Sequence, residues 1–290
     1  MDTLRPMRNS WEINVRWGQT TAAIFGTLLI ALSAVAHTPQ ATTTAPKIQT
    51  KTYDFKEASR QQEYALYVPS AYDKSKPTPL IVALHGLGGT PRQILGTRGF
   101  TDLAEKRGYI VVAPYGYNER GGYGGRGGGR GLAGRGGGRL GGGGNDPPNL
   151  GDLSEKDVLN VLEVVRQDYN IDADRTYLMG HSMGGGGTLY FGLKYAENWA
   201  ALAPFAPAVN ASPSSPDALA KAKHLPIIVV QGDNDTLVPV EATRRWVEKM
   251  KELGMTHEYV EVAGGDHIRI VAPNLERMFD FFDKHKRTSK

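Results

Sequence analysis

Polar and apolar residues alternate over Gln49–Phe55 and Glu63–Val68, which predicts two early strands, the second closed by the turn residues Pro69-Ser70-Ala71. Farther along, the pattern changes to short continuous apolar runs. These are Leu80–Leu84, Tyr109–Ala113, Thr176–Met179, Ala201–Pro207 and Ile227–Val230, with a further strand near Glu258–Val262. Runs of this length, bounded by Gly and Pro, predict strands buried on both faces of a parallel sheet. Between them lie helical patterns at Thr101–Lys106, Ser154–Gln167, after residue 182, near Glu241–Leu253 and near Asn274–Lys286. Ser154, three residues before Asp157, is the candidate cap of its helix. Strands alternating with helices over this length predict an α/β fold with a mostly parallel central sheet and helices on both faces.

The ends of the chain follow other rules. Arg5, Arg8 and Arg16 precede an apolar run from Thr20 to Ala36 that ends in Ala34-Val35-Ala36. A basic start, a short apolar core and a small-x-small site predict a signal peptide over residues 1–36, cleaved after Ala36, and hence a secreted or periplasmic protein. Residues 37–48 read as a Thr/Pro/Ala-rich linker, and residues 49–290 as one globular domain of ordinary size. No later segment is long and apolar enough to span a bilayer, so no membrane partner is expected after cleavage.

Composition refines this picture in two places. The 290 residues include no cysteine, which excludes disulfides, a thiol nucleophile, cysteine-ligated zinc and a lipoprotein anchor. The formal charge of +4 is local in origin: removing the leader takes it to +3, and the five arginines of a Gly/Arg-rich insertion at about 120–144 leave −2 for the rest. That insertion is low-complexity sequence, read as a solvated loop hanging over one rim of the sheet. Its Arg-Gly-Gly repeats with Tyr123 look like RNA-binding tails, but an exported protein rarely meets RNA, so nucleic acid is not an expected partner.

The candidate chemistry starts at Gly180-His181-Ser182-Met183-Gly184, placed between a strand and a helix. A sharp turn there would lift the Ser182 hydroxyl clear of its backbone, and the crowding requires small neighbours at 180 and 184. Ser182 needs a base, and His267 lies in the tight turn Gly264-Gly265-Asp266-His267 after a late strand. The base needs an orienting carboxylate. Asp233 and Asp235 both follow a buried strand, and Asp235 is the choice because the loop has room to turn before Val238-Pro239. Negative charge on a tetrahedral intermediate needs donors, for which the backbone amides of Leu87 and Met183 are the candidate oxyanion hole. His85 and His181 are read as structural neighbours. Tyr115, Tyr117, Trp199 and Phe205 are candidates for a substrate pocket, with core or loop packing as the alternative.

The segments Leu84-His85-Gly86-Leu87-Gly88-Gly89, Gly180–Gly185, Gly232–Pro239 and Gly264–His267 together resemble the α/β-hydrolase superfamily. Within it the chain is similar to exported esterases of the polyhydroxybutyrate-depolymerase and feruloyl-esterase type, bordering the dienelactone-hydrolase and prolyl-oligopeptidase-like branches. The likeness runs from about Thr50 to Lys286 and excludes the Gly/Arg insertion. It implies a serine hydrolase that needs no metal and no cofactor, passes through an acyl-enzyme on Ser182, and acts on a small-molecule or polymeric ester. A prolyl-oligopeptidase-like peptidase and a non-catalytic binding protein on the same fold are the alternatives.

Overall fold

The computed structural model describes residues 47–124, 146–209 and 214–287. The signal peptide of residues 1–36, nearly all of the linker and most of the Gly/Arg insertion lie outside the described residues. Among those described, eight strands form one sheet in the order β1-β2-β4-β3-β5-β6-β7-β8. They are β1 (Gln49–Phe55), β2 (Arg60–Tyr67), β3 (Thr78–Leu84), β4 (Ile110–Pro114), β5 (Ile171–His181), β6 (Ala201–Phe205), β7 (Ile227–Gly232) and β8 (His257–Val262). β2 is antiparallel to both β1 and β4, and every pairing from β4 to β8 is parallel. The helices are α1 (Pro91–Leu95), α2 (Phe100–Arg107), α3 (Leu150–Asp168), α4 (Met183–Lys194), α5 (Val240–Glu252) and α6 (Val271–Lys284).

The continuous apolar runs have the expected consequence. Successive side chains of a strand point to opposite faces, so each run supplies two cores. Leu80, Val82 and Leu178 join Val158 and Val161 of α3, Leu189 of α4 and Trp246 of α5 on one face. Ile81, Ala83, Tyr177 and Met179 join Phe100 of α2 and Leu275, Phe279 and Phe282 of α6 on the other. The sheet is thus covered on both sides, which leaves its carboxyl rim as the open place where loops gather.

Two local expectations are corrected, and one short helix is added. Ser154 does not cap α3, which starts a turn earlier at Leu150; Ser154 is buried inside the helix, where its hydroxyl accepts the Tyr123 amide at 3.0 Å. β6 stops at Phe205 rather than Pro207, because Ala206 takes a left-handed φ of 40° that no strand continues through. The short helix α1 was not foreseen, although Thr90 caps it through its side chain and Pro91 occupies its first turn. No helix among the described residues is long and apolar enough to cross a membrane.

Candidate active site

Ser182 stands between the last residue of β5 and the first of α4, at φ 59° and ψ −115°. A non-glycine residue at positive φ is strained, and the surroundings hold it there. Its amide donates to the Phe205 carbonyl at 2.9 Å, and its own carbonyl accepts from Gly186 and Ala208, each at 3.0 Å. The flanking glycines are required by space. A methyl at Gly180 would run into the Gly184 carbonyl, and one at Gly184 into the Leu84 carbonyl of β3. The elbow is therefore wedged between two neighbouring strands.

The hydroxyl raised by this turn meets the late loops. Ser182 Oγ lies 2.8 Å from His267 Nε2, and His267 Nδ1 lies 2.7 Å from Asp235 Oδ2. Asp235 is acceptor-only when ionised, so Nδ1 carries the ring proton and Nε2 is left to accept the serine proton. The Asp235 side chain is fully buried, and 11% of the His267 side chain is exposed. Asp235 Oδ1 accepts the amides of Leu237 and Val238 at 2.8 and 2.9 Å, while Oδ2 also accepts Gln231 Nε2 at 3.1 Å. Gln231 is held in turn by Thr243 Oγ1 at 2.9 Å. Every lone-pair direction of the buried carboxylate is thus used, which is what makes its burial tolerable.

The two carboxylates of the loop divide their work. Asp233 does not reach the imidazole; its Oδ1 accepts the Gly264 amide at 2.7 Å. Asn234 N donates to the Gly265 carbonyl at 3.1 Å. These bonds latch the loop after β7 to the turn that carries His267, so Asp233 secures the turn of His267 while Asp235 faces its imidazole.

The turn after β3 passes beside Ser182, since a Cβ built on Gly86 would sit 3.4 Å from Ser182 Cβ. Within it the Gly88 amide is committed to the Glu119 carbonyl at 2.8 Å and the Gly89 amide to the Gly86 carbonyl at 2.9 Å. The Leu87 amide directly precedes these two in the turn. Met183 is the first residue of α4, where a backbone N–H has no carbonyl one turn back to receive it. The helix N-terminus also carries partial positive charge directed at this space.

A family model named Esterase matches residues 56–282. The chain belongs to the Esterase family. It is 34% identical to feruloyl esterase B of Neurospora crassa over 164 residues, 52% of this chain and 48% of that protein. It is 24% identical to a bifunctional acetylxylan esterase/xylanase of Neocallimastix patriciarum over 200 residues, 69% of this chain and 25% of that protein. The chain thus spans less than half the length of either relative. A solved ferulic acid esterase from Anaeromyces mucronatus, in complex with ferulic acid, superposes with a TM-score of 0.62 at 20% identity, covering 86% of this chain and 93% of that one. That likeness is one of fold.

In this Esterase-family chain several side chains take places that the sequence did not disclose. His181 does more than pack beneath the elbow: its Nε2 donates to the His267 carbonyl at 2.7 Å, with the two rings 4.8 Å apart. Burial pushes its pKa down to about 4, so it holds this post as a neutral ring. His85, also pushed down by burial, sets its ring nitrogens against the carbonyls of Gly86 and Tyr115 at 2.8 and 2.9 Å. Gln231 and Thr243 carried no motif and were missed.

The candidate pocket aromatics separate. Trp199 is wholly buried just before β6, at the amino end of the strands and opposite Ser182, with its indole N–H on the Phe191 carbonyl at 3.3 Å. Phe205 is also wholly buried, and it meets the site through its backbone alone. Both belong to the core and are withdrawn from the pocket. Tyr117, at φ 72°, lies under the Arg60 guanidinium 3.8 Å from its ring centre. Tyr115 is partly exposed and touches the site through its carbonyl on His85.

The first residues of the Gly/Arg insertion, 120–124, pack against the domain. Arg120 is tied to Asp146 by Nε–Oδ2 at 2.8 Å and to Glu119, and Asn118 Nδ2 reaches Asp146 Oδ1 at 2.8 Å. Tyr123, which resembled the tyrosine of an RNA-binding tail, is wholly buried, and its ring lies 5.6 Å from that of His85.

Proposed function

We propose that this chain is an exported serine hydrolase that cleaves carboxylic esters through an acyl-enzyme on Ser182. The observation that carries the reading is the continuous hydrogen-bonded line from Ser182 Oγ through His267 to a buried, fully satisfied Asp235. The Ser182 oxygen attacks the ester carbonyl carbon while its proton passes to His267 Nε2. Asp235 holds the imidazole in the required tautomer and stabilises the imidazolium. The carbonyl oxygen gains the charge and is received by the amides of Leu87 and Met183, each such donor being worth about 3 kcal/mol of barrier. Collapse breaks the bond from carbon to the alcohol oxygen, which takes the proton back from His267. Water then repeats the sequence on the acyl-enzyme and releases the acid.

The names of the relatives favour feruloyl or acetyl groups as the acyl half, with hydroxyalkanoate or similar esters in the same class. Export rests on the leader over residues 1–36. A fluorophosphonate probe should modify Ser182 in the folded protein and leave a Ser182→Ala variant unlabelled. Assays on p-nitrophenyl acetate, a feruloyl ester, polyhydroxybutyrate and a prolyl peptide then rank the substrates. Absence of both adduct and ester turnover would sink the reading. N-terminal sequencing of secreted protein should begin at His37, and a chain still starting at Met1 would refute cleavage.

A further inference from the structure

Leu237 and Ile268 are the large hydrophobic side chains that remain exposed among the described residues, at 61% and 70%. Single exposed apolar residues on a surface need no explanation, but the placement of these two does. Leu237 lies two residues after Asp235, whose Oδ1 accepts its amide at 2.8 Å. Ile268 directly follows His267, and Asp266 Oδ1 accepts its amide at 2.9 Å and that of Arg269 at 2.7 Å. The loops carrying them are the two latched together by Asp233 and Asn234. Both apolar side chains are therefore displayed on fixed turns beside the base, on the same rim as the nucleophile.

The chemistry decides which half of the substrate lies there. The alcohol oxygen must receive its proton from His267 Nε2, so the alcohol departs on the histidine side of Ser182. The acyl carbonyl oxygen is directed the other way, to the Leu87 and Met183 amides. We propose that Leu237 and Ile268 form a platform for the alcohol half of the ester, and that this half carries apolar surface, as in an alkyl or aryl alcohol. The inference rests on the ester-hydrolase reading. It adds a specificity that acts in acylation alone, because the alcohol has left before water attacks the acyl-enzyme.

Methyl, butyl and hexyl acetate test it, since all three give one and the same acetyl-enzyme. In the wild type kcat/KM should rise from methyl to hexyl acetate. In the Leu237→Ser/Ile268→Ser double variant it should fall about tenfold for hexyl acetate and little for methyl acetate, the loss expected when a modest apolar contact is removed. The deacylation rate, read from the steady state after a p-nitrophenyl acetate burst, should be unchanged. A flat wild-type series, a double variant that keeps the wild-type slope, or an equal loss in deacylation would overturn the platform while leaving the esterase reading intact. A wild type that forms no acyl-enzyme with any ester would overturn both. The substituted side chains are exposed, and a matching circular-dichroism melt confirms that both proteins are folded.

Discussion

The Tyr123 phenol oxygen accepts the backbone amide of His85 at 3.1 Å. Tyr123 is held at a left-handed φ of 48° with its own amide on Ser154 Oγ, so the phenol is fixed before any substrate arrives. The same loop touches the turn after β3 twice more, through the Tyr115 carbonyl on the His85 ring and the Glu119 carbonyl on the Gly88 amide. The candidate oxyanion turn is thus braced from outside by the segment that leads into the Gly/Arg insertion. Tyr123→Phe keeps the buried ring and strands the His85 amide. An unsatisfied buried donor costs about 1–3 kcal/mol. Stability should fall by about that amount, and kcat should drop roughly tenfold with KM little changed. Steady-state kinetics with a parallel denaturant titration checks it, and a pure loss of stability at full kcat would reduce the brace to a packing role.

The division of labour between Asp233 and Asp235 predicts unequal variants. Asp235→Asn should lower kcat on the order of 10⁴-fold, because an amide in that place favours the wrong imidazole tautomer. Asp233→Asn keeps an oxygen for the Gly264 amide and should retain most activity. Equal losses in both would contradict the geometry.

Gly184→Ala tests the wedge. Its added methyl meets the Leu84 carbonyl of β3, a backbone atom that cannot rotate aside. Overpacking of this kind costs about 1–3 kcal/mol or more, and here it would also push Ser182 away from His267. The variant should melt earlier and lose fluorophosphonate labelling even where it remains folded.

These cases show what could be read from the sequence. The parallel sheet was legible because unbroken apolar runs such as Leu80–Leu84 have few other uses, and the elbow because Gly180 and Gly184 answer a local steric demand. Asp235 could be preferred to Asp233 on loop length alone. What stayed hidden depends on contacts between distant segments. Nothing near Tyr123 announces that its phenol will reach His85, and its Gly/Arg surroundings pointed to solvent instead. Trp199 and Phe205 are apolar residues near a predicted strand end, and only the topology tells the amino rim from the carboxyl rim, or core from cleft. Gln231 and Thr243 are ordinary residues whose role exists only because Asp235 is buried beside them.

Two buried groups should give the stability curve opposing slopes in mild acid. Burial disfavours the charged form of His181 and pushes its pKa down to about 4 from the usual 6.5. Its depressed pKa means that the unfolded chain takes up the proton first. Its stabilisation is therefore present above about pH 6.5 and is lost as pH falls toward 4, by about 3 kcal/mol at most. Asp157 runs the other way. It accepts the Gly116 and Tyr117 amides at 2.6 and 3.3 Å and the Tyr53 hydroxyl at 2.7 Å, yet its burial outweighs these donors and pushes it up to about 6 from 3.8. A raised pKa means that the folded protein holds the proton more tightly. That contribution is full below pH 3.8 and is lost as pH rises through about 6. In the wild type the two slopes offset each other between about pH 4 and 6. His181→Gln, which keeps a donor for the His267 carbonyl, should become more stable relative to wild type as pH is lowered through this window. Asp157→Asn should become less stable relative to wild type over the same range. Urea midpoints of the three proteins at half-unit pH steps separate the contributions, and variant curves parallel to the wild type would show that neither group titrates there.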